Sequence, residues 1–157
     1  MAEPLKTFPV QLRRVGIAEI SYECQAFGQP GVKLVENIDL TTGIGPYDAQ
    51  TKSLIVFLTV ASKPKPEGVK HTLKISVVGE FAIVDEAALP FPVEKLPQWA
   101  EKSGVAVLFP FLRELLFSVT QKSGFSPVML PMIEVAPYRI QPPPAQPAPV
   151  TPKLAAG

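Results

Sequence analysis

Very few residues in this 157-residue chain can carry covalent or metal chemistry. There is one cysteine, Cys24, and one histidine, His71. A single thiol makes neither an intramolecular disulfide nor a Cys-x-x-Cys redox pair. One thiolate and one imidazole also fall short of the about four ligands that structural zinc needs. No metal and no cofactor are expected. Gly43-Ile-Gly45 lacks the spacing and the lysine of a phosphate-cradling loop. One histidine gives no recognisable Ser-His-Asp constellation. Glu114 and His71 are the only candidates for acid–base hydrolysis, and Glu114, next to Arg113, reads as a solvated or ion-paired carboxylate.

Binding chemistry is what remains. Hydrophobic residues make up 46% of the chain and charged residues 18%, enough apolar material for one domain with a core. The net charge of +1 argues against a broad basic surface for nucleic acid. The start, Met1-Ala-Glu-Pro-Leu-Lys6, holds no apolar run of signal-peptide length. The longest apolar stretches, at 54–60 and 105–112, are shorter than the about 20 residues of a membrane span. The chain reads as soluble and cytoplasmic.

The elements that must position any binding surface follow from periodicity. Between Val10 and Glu23, apolar residues come as the pairs Val10/Leu12, Val15/Ile17 and Ile20/Tyr22, with a phase slip between pairs. A long strand with bulges has that pattern. Residues 32–40 alternate as a half-buried strand, and 41–46 are rich in turn residues. Ser53–Ala61 is apolar on both faces, which predicts a central strand covered on both sides. His71–Ile83 alternates, with Leu73, Ile75, Val77, Gly79, Phe81 and Ile83 on one face. From Pro92 the period becomes helical: a short helix to Lys102, broken or restarted at Pro97 and ended by Gly104, then a long helix over about 106–122. Its stripe of Leu108, Phe111, Leu112, Leu115, Leu116 and Val119, widened by Phe109 and Phe117, is too apolar for one four-stranded sheet to cover. An extended, proline-broken segment follows around 126–135. Six of the 19 prolines lie between Gln141 and Gly157, a polyproline-like tail. The expected organisation is a flexible N-terminus over 1–8, a folded domain over 9–140 and a Pro-rich disordered tail over 141–157. The fold class is α+β: a four-stranded antiparallel sheet, a short helix and one long apolar helix.

Leu108-Phe-Pro-Phe-Leu-Arg-Glu114, followed by Gly124 and by Leu130-Pro-Met-Ile133, resembles a signature of the SecB protein-export chaperone family. Ala18-Glu-Ile-Ser-Tyr-Glu23 is similar to that family's first-strand signature. The resemblance spans about 8–137. It implies a homotetramer, a dimer of dimers, in which sister subunits cover the long helix. It also implies an ATP-independent holdase rather than an enzyme, one that binds unfolded precursor polypeptides in apolar grooves and delivers them to the SecA motor of protein translocation.

A client without fixed shape needs a wide apolar surface with adaptable, polarizable side chains. Phe27, Trp99, Phe109, Phe111, Phe117, Met129 and Met132 are the client-binding candidates. Leu108, Leu112, Leu115, Leu116 and Val119 are the expected oligomer interface. Glu19 and Glu23 match the family's first-strand acids and are the expected motor-docking residues. Lys74 stands where the family carries an acid, the net charge is not acidic, and the Pro-rich tail replaces a C-terminal helix. These departures leave open a SecB-like solitary chaperone for another client, such as an antitoxin. From other classes, a hotdog-type acyl thioesterase using Glu114 and His71 also stays open, as does an adaptor without client binding.

Overall fold

A computed structural model of the chain describes residues 7–24, 38–62, 71–122 and 127–132. Strand β1 runs Val10–Cys24, β2 Ile38–Ile44, β3 Ser53–Ser62 and β4 His71–Ile83. They form one antiparallel sheet in the order β1-β4-β3-β2. β2, β3 and β4 are a meander; β1 joins its far side, so the connection from Cys24 to Ile38 links opposite edges of the sheet. The phase slips in β1 are two bulges, between Leu12 and Arg14 and between Ile17 and Glu19. Each bulge lets the next apolar residue return to the face shared with β4, so Leu12, Val15, Ile17, Ile20 and Tyr22 stand opposite Phe81, Gly79, Val77, Ile75 and Leu73.

Two expectations about the sheet change. Thr41–Ile44 belongs to β2 instead of a turn, because the strand goes on pairing with β3, from Thr41 opposite Thr59 to Ile44 opposite Val56. β3 is central, but only one of its faces is covered. Leu54, Val56, Leu58 and Val60 are buried under the helix, whereas Phe57, on the other face, is 39% exposed.

The helical part is continuous from Val93 to Lys122. A 3-10 turn (Val93–Lys95) leads to α1 (Leu96–Trp99), then a π turn (Ala100–Gly104) and α2 (Val105–Lys122). Of the two roles expected for Pro97, the restart is the one found: it lies in the first turn of α1, directly after the 3-10 turn, where its missing N–H has no helical partner to lose. Gly104 does not end a helix; it is buried in the π turn against Val56 and Phe81. The result is one helix long and apolar enough, by length and composition, to cross a membrane, which corrects the shorter runs read from the sequence. The sheet covers its Leu108, Leu112 and Leu116 side completely. Burying each of those leucines contributes on the order of 1.5–3 kcal/mol.

The core lies between the helix and one face of the sheet. Trp99 is part of it: its ring stacks on Phe8 at 5.8 Å and meets Phe81 edge-on at 5.6 Å. Gly79 of β4 makes the closest approach possible. A Cβ there would stand 2.6 Å from Leu108 Cδ2. The expected tail over 141–157 lies outside the described residues.

Candidate functional site

Helix α2 presents three stripes. Val105, Leu108, Leu112 and Leu116 face the sheet and are buried within the single chain. This corrects the expected interface role of Leu108, Leu112 and Leu116, which leave no surface for a second copy. Leu115 and Val119 are half-buried at the margin of the same core and keep an outward side. The spacing identified one greasy stripe, but not that the chain's own sheet covers it.

The second stripe, Ala106, Phe109, Pro110, Arg113, Glu114 and Phe117, recurs every three to four residues and floors a groove of about 630 Å³. Met129 and Met132 complete its wall. That wall is the extended segment 127–132, which returns alongside α2. Thr120, fully buried in α2, donates its hydroxyl to the Leu116 carbonyl at 2.8 Å and accepts the Val128 N–H at 2.9 Å. The segment then alternates: Leu130 is buried, and Met129 and Met132 are 56% and 82% exposed. Pro110 has no N–H, so the Ala106 carbonyl lacks its usual i+4 partner, and both residues line the groove.

The third stripe, Phe111, Glu114, Leu115 and Ser118, faces β1. With Val15, Gly16, Ile17 and Val77 it forms a second, smaller groove of about 280 Å³. Ile17 is 57% exposed there, and Ile20, further along β1 on the same face of the sheet, is 46% exposed.

The client-binding candidates therefore separate. Phe109, Phe117, Met129 and Met132 meet in the larger groove; Phe111 lies on the opposite flank of the helix. Trp99 is a core residue instead of a groove residue, because Phe8 and Phe81 occupy its faces. Phe27 lies outside the described residues. Spacing alone did not single out Ala106, Pro110, Arg113 and Thr120; their roles depend on where the 127–132 segment lands.

On the other face of the sheet, Glu19 and Glu23 are exposed, opposite Ser76 and Thr72 of β4. Lys74 Nζ lies 2.7 Å from Glu19 Oε2. The lysine thus offsets the charge of one of the two acids in place. Further along, Glu80 accepts from Arg13 Nη1 at 3.3 Å and from Arg14 Nη2 at 2.8 Å, the first bulge bringing both arginines within reach. No group of three His, Cys, Asp or Glu able to hold a metal occurs among the described residues. Glu114 is exposed on the helix, and the side chain of His71 lies outside the described residues.

No family model matches the chain. An uncharacterised protein of Methanocaldococcus jannaschii is 30% identical over 106 residues, which are 66% of this chain and 65% of that protein. The chain thus spans just under two thirds of that relative's length. The protein-export protein SecB of Saccharophagus degradans is 29% identical over 129 residues, 78% of this chain and 71% of the relative. Among solved structures, the fold matches a Mycobacterium tuberculosis SecB-like chaperone, solved in complex with a ChAD peptide from the HigA1 antitoxin. That match has a TM-score of 0.64 and 16% identity, and covers 80% of this chain and 91% of the other. The chain is a divergent SecB-like protein.

A four-stranded antiparallel sheet under one long helix is the SecB-like fold. Both SecB-like relatives are described by their roles in protein handling, one as a protein-export protein and the other as a chaperone.

Proposed function

We propose that this SecB-like chain is an ATP-independent holdase that binds unfolded polypeptide in the apolar grooves flanking α2. The observation that carries the reading is the larger groove, where Phe109, Phe117, Met129 and Met132 converge beside a helix already packed on its own sheet. Aromatic and thioether side chains adapt to clients of varied sequence. The extended wall and the proline-interrupted helix add backbone groups for an extended chain to meet. The working assembly is a cytoplasmic homotetramer, a dimer of dimers, without stable membrane insertion. Several grooves then hold one long client, and multivalency offsets weak contacts at each.

Delivery of unfolded precursors to a SecA-type motor is the family's use of such a holdase, with Glu19 and Glu23 as the docking acids. A second reading, a solitary chaperone guarding an antitoxin, is favoured by a specific observation. The Lys74–Glu19 pair removes net negative charge from the docking face and so weakens attraction for a basic motor tail.

Aggregation of a slow-folding, reduced client tests the holdase reading. Suppression near one tetramer per client, without nucleotide, is the expected result. Unsuppressed aggregation rejects it. For docking, Glu19→Lys with Glu23→Lys abolishes salt-sensitive binding to a basic motor tail; unchanged affinity rejects the motor-docking role.

A further inference from the structure

Arg113 is sunk into the larger groove with its hydrogen-bonding capacity largely unspent. A guanidinium carries five N–H donors. Here Nη1 points at Met132 Sδ, 3.4 Å away, and a thioether is a poor acceptor. Nε is buried and has no hydrogen-bond partner among the described residues. None of the ion pairs among the described residues involves Arg113. The contrast with β1 is sharp: Arg13 and Arg14, both more than half exposed, each reach Glu80. Glu114 adjoins Arg113 in sequence and lines the same groove, but neighbouring helix positions do not face one another. A half-buried cation among Phe109, Phe117 and two methionines, its Nε shut away from water, has no counter-charge paired with it among the described residues, and a bound carboxylate would supply one.

We infer that Arg113 reads a carboxylate, so that the preferred ligand of the larger groove is an extended apolar segment carrying an acidic side chain. This rests on the holdase reading and narrows it: Phe109, Phe117 and the methionines take the apolar residues, and the planar fork of Arg113 takes the Asp or Glu between them. A fork matches a carboxylate with two parallel hydrogen bonds, and charge-assisted bonds are about twice as strong as neutral ones. Polypeptide segments with an apolar–acidic–apolar pattern are then held longest.

The test uses end-blocked fluorescent peptides with one apolar sequence and a central Glu or Gln, measured by anisotropy on the full chain. Wild type binds the Glu peptide roughly tenfold tighter than its Gln twin, the size expected of one charge-assisted pair. The preference shrinks as salt is raised. Arg113→Gln abolishes the preference, so that the Glu and Gln peptides bind alike. Arg113→Lys keeps the charge without the fork and retains only part of the preference, which keeps the test decisive should Arg113→Gln fold poorly. Equal binding of both peptides by wild type, or a preference that survives Arg113→Gln, overturns the role of Arg113 while leaving the holdase reading intact. Binding of neither peptide by wild type overturns both. Sedimentation runs in parallel. If Arg113→Gln shrinks the assembly and selectivity stays, the partner of Arg113 is a sister copy and the inference fails.

Discussion

The hydroxyl of Thr120 receives the backbone N–H of Val128 at 2.9 Å while donating to Leu116, and this one fully buried atom fixes where the methionine wall of the groove begins. A threonine hydroxyl bonding back to its own helix is common; one that also accepts from a passing extended segment couples two elements. The groove is therefore built partly by an apolar helix and partly by a single polar latch.

Thr120→Val keeps the shape and removes both the donor and the acceptor. The Val128 amide loses its partner, so the change costs about 1–3 kcal/mol of stability. Urea denaturation measures the loss, and hydrogen exchange at Val128 speeds up more than exchange in the β3–β4 ladder. Unchanged protection at Val128 would show that the wall is held by Leu130 alone.

Gly79→Ala tests the approach of helix to sheet. The added methyl would meet Leu108 Cδ2 at 2.6 Å and Cδ1 at 3.1 Å, and Leu108 is fully buried with nowhere to retreat. The expected destabilisation is about 1–3 kcal/mol, typical of overpacking. Leu108→Ala in the same chain removes the obstruction, so the double variant is less unstable than the sum of the two singles. Simple additivity in thermal melts would show that Gly79 is small for another reason.

Tyr47 lies between β2 and β3 and donates its hydroxyl to Glu86 Oε1 at 2.6 Å, past the end of β4. That bond to a carboxylate, aided by burial, pushes its pKa from 10.0 up to about 12. Folding therefore favours the protonated phenol. The stabilisation is fully present below pH 10 and is lost as pH rises through about 12. Ultraviolet titration of the tyrosines shows a late component near that pH, which Tyr47→Phe removes; persistence of that component in the variant assigns it elsewhere.

Much of this architecture was legible in the sequence, and the failures have physical causes. The paired slips at Leu12–Arg14 and Ile17–Glu19 were readable because a bulge shifts parity by one residue, and parity is local. The same parity put Glu19 and Glu23 on the outer face. Gly104 misled because a glycine acts by position, and inside a π turn it does not stop a helix, whereas Pro97 restarts one from its first turn. The 108/112/116 stripe announced burial, but periodicity carries no label for the surface doing the burying. Arg113 was visible only as one residue of a motif. Its buried Nε, without a partner among the described residues, is a property of the groove, which exists only after residues 127–132 have folded back over α2.

Met129→Asp with Met132→Asp separates binding from folding. Both side chains are more than half exposed, so stability changes by less than about 0.5 kcal/mol each, as for ordinary surface positions. Suppression of client aggregation, by contrast, falls at least several-fold, because two carboxylates now line an apolar wall and compete for Arg113. Normal suppression by this variant would move the client to the Phe111 flank of α2.

That flank bears on assembly. Ile17 and Phe111 are 57% and 41% exposed, on either side of the smaller groove, and Ile20 extends the strip along the edge strand β1. Bare apolar surface beside an unpaired strand edge invites self-association unless a specific neighbour covers it. A sister subunit is that neighbour in the proposed tetramer. Ile17→Asp with Phe111→Asp is therefore expected to lower the sedimenting mass from tetramer to a smaller species at micromolar concentration, while circular dichroism stays unchanged because both side chains already stand largely outside the core. A variant that still sediments as a tetramer places the subunit contact on the other edge of the sheet, at β2. A wild-type chain that sediments as a monomer leaves the smaller groove open to clients, and Ile17 and Phe111 then join Met129 and Met132 as residues whose loss weakens client capture.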